Sequence, residues 1–239
     1  DLYVSTSSGE SINGVLLRNQ LSPFYQEVHD SLQVFKQYAS GEVIADNANT
    51  GKSSGKHISD QPRYHRRTST KKRAFKAVVK ETEEGVFLVQ TKNQYGRNLS
   101  IGTGFFINDQ GDAVSNYHVF EGGSKWYVKL LSGETFRVQE IYAGSEKDDY
   151  VIFNVDLAGK KINPIPLYEG EVEKAEEIFV VGNPEGLESS LSTGVVAALR
   201  EDFWDMDLIQ ITAPISSGSS GSPVMPLQGE AIGIASMKK

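Results

Sequence analysis

A hydroxyl nucleophile needs three kinds of help: a base for its proton, a carboxylate to orient that base, and N–H donors for the oxyanion formed on attack at a carbonyl. Candidates for all of these occur in this chain. The hydroxyl is Ser220, within ISSGSSGSPV (215–224). Gly218 and Gly221 permit a sharp turn around it, and such a turn can aim the amides of Gly218 and Ser220 at one point as an oxyanion hole. A Ser/Gly run alone is usually just a flexible loop. Here Pro223-Val224 follows at once and opens an apolar run, which favours a turn held between strands.

The base is His118, in DAVSNYHVF (112–120). The other histidines are His29, His57 and His65, all in the first part of the chain. His118 follows an apolar strand and precedes Glu121-Gly122-Gly123, a strand-end position suited to a base. The carboxylate is Asp149, directly before YVIFNV (150–155). Asp148 is its neighbour and rival. Side chains alternate along an extended segment, so the two should point opposite ways, and position at the mouth of the apolar run favours Asp149.

These residues need strands to hold them. From about residue 77 the chain reads as short β-rich runs: VFLVQT (86–91), SIGTGFFI (100–107), KWYVKLL (125–131), TFRVQEIY (135–142), YVIFNV (150–155), EIFVVG (177–182), LSTGVVAAL (191–199) and EAIGIAS (230–236). Turn signals such as NDQGD, LSGE and GNPEG separate them. Many short strands with Gly-containing turns predict an all-β barrel or sandwich.

Upstream, Ser22 and Pro23 can start a helix whose stripe is Leu21, Phe24, Tyr25, Val28, Leu32 and Phe35, with Ser40-Gly41 as its stop. Residues 46–80 then carry ten Lys/Arg against two Asp/Glu. The stretch 46–73 has almost no apolar periodicity and reads as a flexible basic linker. Such a run could touch acidic lipid, nucleic acid or cell wall; its composition favours a solvated tether, and no nucleic-acid partner is expected. The expected organisation is an N-terminal helical segment (1–45), a basic linker (46–76) and a β domain (77–239).

Taken in register, these motifs resemble the trypsin-like serine proteases, and among them the Deg/HtrA branch. GTGFFINDQGDAVSNYHVF resembles that branch's first strand, turn and Thr-Asn-x-His-Val segment, with Ser115-Asn116-Tyr117-His118-Val119 in its place. DYVIF is similar to the Asp-[LI]-Ala-[VL]-[LI] strand, VGNPEGLESSLSTGVVAALR to a stretch of the second barrel, and GSSGSPV to Gly-Asn-Ser-Gly-Gly-Pro. The resemblance implies two packed antiparallel six-stranded β-barrels of chymotrypsin type, one at about 77–156 and one at about 162–239. It implies a serine endopeptidase with His118, Asp149 and Ser220 as triad, and a polypeptide substrate lined by Pro214, Ile215, Ser236, Met237 and Lys238. It also implies an extracytoplasmic setting. The other reading of the same residues is an inactive chymotrypsin-fold module that binds peptides.

Two departures stand out. Ser222 occupies the place of a family glycine. After Ser236-Met237-Lys238-Lys239 the family would add one more barrel strand, and the Deg branch commonly a PDZ domain; either the sequence is a fragment or the barrel is closed another way.

The remaining bounds are simple. With no cysteine, disulfides, thiolate metal sites and a Cys nucleophile are excluded. No His-x-x-x-His or ligand-spaced carboxylate cluster surrounds His118, so no metal or cofactor is expected. The first residues lack the basic start and apolar core of a secretory leader, and no run approaches the length of a membrane span. Oligomerisation is left open.

Overall fold

A computed structural model describes Gly14–Val15 and residues 74–168, 171–182, 189–200 and 208–237. These all belong to one compact unit. The predicted helix around 22–41, the basic linker 46–73, residues 183–186 of the GNPEG turn and Lys238 lie outside the described residues.

Helix α1 (Phe75–Gly85) opens the continuous part. The sequence reading begins β structure at about 77 and places no helix here. Phe75, Val78, Val79 and Thr82 nevertheless fall on one helical stripe. A tertiary surface receives it: Phe75 meets Phe179 edge-on at 5.2 Å, and Thr82 reaches the Met225 sulfur at 4.0 Å.

Six strands then close into a barrel: β2 (Val86–Lys92), β3 (Asn98–Phe106), β4 (Asp112–Ser115), β5 (Lys125–Leu130), β6 (Thr135–Ser145) and β7 (Tyr150–Val155), in the order β2-β3-β4-β7-β6-β5. Every pairing is antiparallel. The inward positions follow the two-residue period of a strand: Phe87 and Val89, Val128 and Leu130, Val151, Phe153 and Val155 form one buried cluster with Phe106 and Phe120. Aromatic rings fill its middle, with Phe87 and Phe106 at 4.5 Å and Phe120 and Phe153 at 4.8 Å between centroids.

The second sheet holds β8 (Glu177–Gly182), β9 (Ser190–Arg200), β10 (Leu208–Ile211), β11 (Pro223–Pro226) and β12 (Gly233–Ser236). Its core is Ile178, Val180, Val196, Ile209, Ile211, Ala213, Val224, Ile232 and Ala235. A sixth strand, β1 (Gly14–Val15), pairs with β12, giving the order β1-β12-β11-β8-β9-β10. The fold is thus mostly β, with two barrel-like six-stranded sheets. The second draws one strand from a segment that the sequence reading assigns to a separate N-terminal unit.

Candidate active site

His118 stands on a one-turn helix, α2 (Tyr117–Phe120), directly after β4. Strand β4 pairs with β7, with Ser115 opposite Val151, so α2 sits beside the turn that leads into β7. Asp149 is the last residue of that turn. Its Oδ1 and Oδ2 each lie 2.8 Å from His118 Nδ1, and the His118 backbone N–H donates to Oδ1 at 3.0 Å. Asn116 secures the same turn from below: its amide nitrogen donates to the Asp149 carbonyl at 2.7 Å. Asp149 is buried, at 5% exposure, so its charge needs these donors.

Asp149 has φ 52°, the left-handed region that aspartate tolerates better than most residues. The segment is therefore a turn and not the extended run assumed from the sequence. Asp148 is still turned elsewhere, because its carboxylate accepts from the Ser145 hydroxyl at 2.7 Å and its N–H donates to the same oxygen at 3.0 Å.

Ser220 sits in a tight turn before β11. Gly218 and Gly221 flank it with φ of 92° and 93°, which only glycine adopts without cost. Strand β3 of the first barrel braces this turn. The Thr103 N–H donates to the Ser220 carbonyl at 2.7 Å, its hydroxyl to the Gly218 carbonyl at 2.7 Å, and Ser115 Oγ to the Thr103 carbonyl at 2.7 Å. Ser219, the adjacent hydroxyl, is tied into its own turn: its N–H donates to the Ser216 carbonyl at 2.9 Å, and its oxygen accepts from the Ser216 N–H at 3.3 Å. Among the described residues the N–H groups of Gly218 and Ser220 have no acceptor.

A short relay joins the acid to the nucleophile. Ser236 Oγ donates to Asp149 Oδ2 at 2.5 Å. The next residue, Met237, donates its N–H to Ser220 Oγ at 3.2 Å. Among the described residues Ser220 Oγ makes no hydrogen bond to His118; catalytic hydrogen bonds in ligand-free sites are often long and tighten only with substrate. Of the predicted lining residues, Pro214 is exposed, Ile215 is half-buried against the second core, and Ser236 and Met237 are half-buried. Lys238 lies outside the described residues.

Sequence reasoning missed the bracing residues Asn116 and Thr103, and it missed the hydrogen bond from the hydroxyl of Ser236, one of its lining residues, to Asp149. Nothing local announces these roles: Thr103 and Gly218 lie 115 positions apart, and Asp149 and Ser236 lie 87 apart. Ser222, the departure from the family glycine, buries its hydroxyl with no hydrogen-bond partner among the described residues.

Residues 102–234, more than half of the chain, match the trypsin-like peptidase domain. "Protease Do-like 1, chloroplastic" of Arabidopsis thaliana is 34% identical over 141 residues, covering 56% of this chain and 32% of that protein. A Brucella suis protein named "Probable periplasmic serine endoprotease DegP-like" is 32% identical over 143 residues, covering 58% of this chain and 28% of that one. Among solved structures, the HtrA-type protease AlgW with a tripeptide superposes with a TM-score of 0.61 at 22% identity, covering 67% of this chain and 53% of the other. The chain thus spans about a third of the length of the curated relatives it matches. Two barrel-like sheets and more than half of the sequence lead to one statement: this chain belongs to the trypsin-like peptidase family, and the relatives it resembles are of Deg/HtrA type.

Proposed function

We infer that this chain is a serine endopeptidase that hydrolyses polypeptides through an acyl-enzyme, with Ser220 as nucleophile, His118 as general base and Asp149 as the orienting carboxylate. The observation that carries this reading is the grip of Asp149 on His118 Nδ1 at 2.8 Å from both oxygens. It fixes the proton on Nδ1 and leaves Nε2 with its lone pair.

His118 takes the Ser220 proton as the hydroxyl oxygen bonds to the scissile carbonyl carbon. The N–H groups of Gly218 and Ser220 receive the oxyanion; losing one such donor typically costs about 10²–10³ in turnover. His118 then protonates the leaving amine as the peptide bond breaks. Water adds to the acyl-enzyme by the same route and frees Ser220. No step draws on a metal or cofactor.

The substrate lies extended and adds a strand beside the segment after β12. Among the described residues no helix is long and apolar enough to cross a membrane. We place the protein outside the cytoplasm, on the likeness to the relative named as periplasmic.

The test is labelling with a fluorophosphonate, followed by digestion and mass mapping, alongside cleavage of unfolded casein. Labelling confined to Ser220, lost in Ser220→Ala, is the expected result. A chain that binds casein but neither labels nor cleaves it is the inactive peptide-binding module instead.

A further inference from the structure

A one-turn helix does not hold itself. Its first turn is the costly step of helix formation, and its last carbonyls have no partner within it. Helix α2 has four residues and carries His118, so its shape depends on what meets it. Asp149 meets one side: the His118 N–H and the His118 ring both lie on that carboxylate. The other end runs into the first barrel, where Val119 and Phe120 are buried. Their carbonyls must find donors inside the protein.

Two side chains supply them. The Thr91 hydroxyl donates to the Val119 carbonyl at 2.5 Å, and the Trp126 Nε1–H donates to the Phe120 carbonyl at 3.0 Å. Thr91 and Trp126 stand directly opposite each other on β2 and β5. Opposite residues of an antiparallel pair project to the same face, here the inner face of the barrel, where Thr91 is fully buried and Trp126 packs on the core. One cross-strand pair thus serves two successive carbonyls of α2. The Trp126 ring also stacks on Phe120, with centroids 5.9 Å apart. The chain leaving α2 closes down on the same pair: a Cβ at Gly123 would fall 2.5 Å from Thr91 Cγ2 and 2.6 Å from Trp126 Nε1.

The two contacts differ in weight. The Phe120 carbonyl also accepts from the Gly123 N–H at 3.2 Å. Among the described residues, Thr91 is the sole donor to the Val119 carbonyl. Without it a buried acceptor is left unpaired, a cost that α2 escapes only by moving, and His118 moves with it. We propose that Thr91 and Trp126 are positioning residues for His118: from inside the first barrel they clamp α2 and keep the imidazole seated on Asp149. Neither touches the reacting atoms. Their effect on turnover rests on the peptidase reading above, whereas the seating of His118 does not.

The test uses the full chain. Thr91→Val keeps the shape of the side chain and removes the donor. Because a misplacement of about 1 Å costs on the order of 10²-fold in rate, it should lower kcat on a peptide substrate about tenfold or more, with KM within about twofold. Thr91→Ser should restore most of the rate. Trp126→Phe keeps an aromatic ring against Phe120 and should cost less, because Gly123 still donates to that carbonyl. Thr82→Val is the control. It too removes a buried hydroxyl that donates to a carbonyl, that of Val78 at 3.0 Å, but on α1, and it should leave kcat unchanged. The NMR resonance of the proton on His118 Nδ1 reports the seat on Asp149 without turnover, and it can be followed in a Ser220→Ala background. It should shift or broaden in Thr91→Val, recover in Thr91→Ser and stay in place in Thr82→Val.

A parental kcat and an unmoved resonance in Thr91→Val overturn the positioning role. So does an equal loss in Thr82→Val, or a loss that falls on KM with the resonance unmoved, since either marks general destabilisation. If Thr91→Val does not fold, Trp126→Phe decides: a parental rate with an unmoved resonance there overturns the role. If the parent chain cleaves nothing, the peptidase reading fails, and the resonance alone decides the seating.

Discussion

Ser236 donates to Asp149 Oδ2 at 2.5 Å, on a carboxylate that already holds His118 Nδ1 at 2.8 Å. One barrel thus completes the hydrogen-bonding shell of a buried acid belonging to the other. A carboxylate this buried is costly unless donors surround it. Ser236→Ala should lower kcat by about ten- to a hundredfold, the equivalent of about 1.5–3 kcal/mol for a hydrogen bond to a charged group, with KM little changed. Ser236→Thr should recover most of the loss. Steady-state kinetics on a peptide substrate checks this, and an unchanged kcat in Ser236→Ala would remove Ser236 from the positioning network.

The three proposed catalytic groups should behave as one unit. Ser220→Ala, His118→Ala and Asp149→Asn should each cut turnover by about 10⁴ or more without unfolding the protein. The triple variant should be little worse than the worst single one. If Ser219→Ala is dead and Ser220→Ala active, the nucleophile is misassigned.

Acidification should slow cleavage. Protonated imidazole has no lone pair with which to take the Ser220 proton, so the rate must fall as His118 becomes charged. A pH–rate profile of kcat/KM on a neutral peptide measures this; a flat profile from pH 8 down to pH 5 is incompatible with a histidine base.

The nucleophile turn tolerates no side chain at Gly221. Its φ of 93° is strained for any other residue, and a Cβ there would collide with the Thr103 carbonyl oxygen and Ser115 Oγ. Gly221→Ala should cost well over about 1 kcal/mol of stability and abolish labelling of Ser220. Ser222→Ala is the contrasting change. It removes a buried hydroxyl without a partner, so melting should be unchanged or raised by an amount worth about 1 kcal/mol, with activity kept.

Specificity should favour small or medium apolar side chains before the scissile bond. The segment Thr212-Ala213-Pro214-Ile215 has no acid, and Ile215 packs half-buried on the second core. A buried substrate cation left without a partner costs several kcal/mol. A methylene more or less is worth only about 1–3 kcal/mol, so selectivity among apolar residues should be broad. A peptide library reads this out, and a strong preference for Arg or Lys would refute it.

How much of this was legible beforehand divides along a physical line. VFLVQT and YVIFNV are near-continuous apolar runs, buried almost throughout, and β2 and β7 lie within a residue of them because such a run is local. The same holds for Gly218 and Gly221: a φ above 90° strongly favours glycine wherever it occurs, so the turn around Ser220 could be read from four residues. The lone histidine of the β region and the aspartate before YVIFNV were also found by position, and Asp149 does lie on His118. Helix α1 was missed because eleven residues carry only a short stripe, and the Phe179 surface that rewards it is about a hundred positions away. Ser236 on Asp149 and Thr103 on the nucleophile turn depend on two barrels meeting, which no window of sequence contains. Strand β1 is the extreme case. Two residues cannot show a period, and the backbone pairing of Gly14 and Val15 with Ser236 and Ala235 depends on no side-chain pattern, so only β12, brought alongside by the fold, decides that they form a strand.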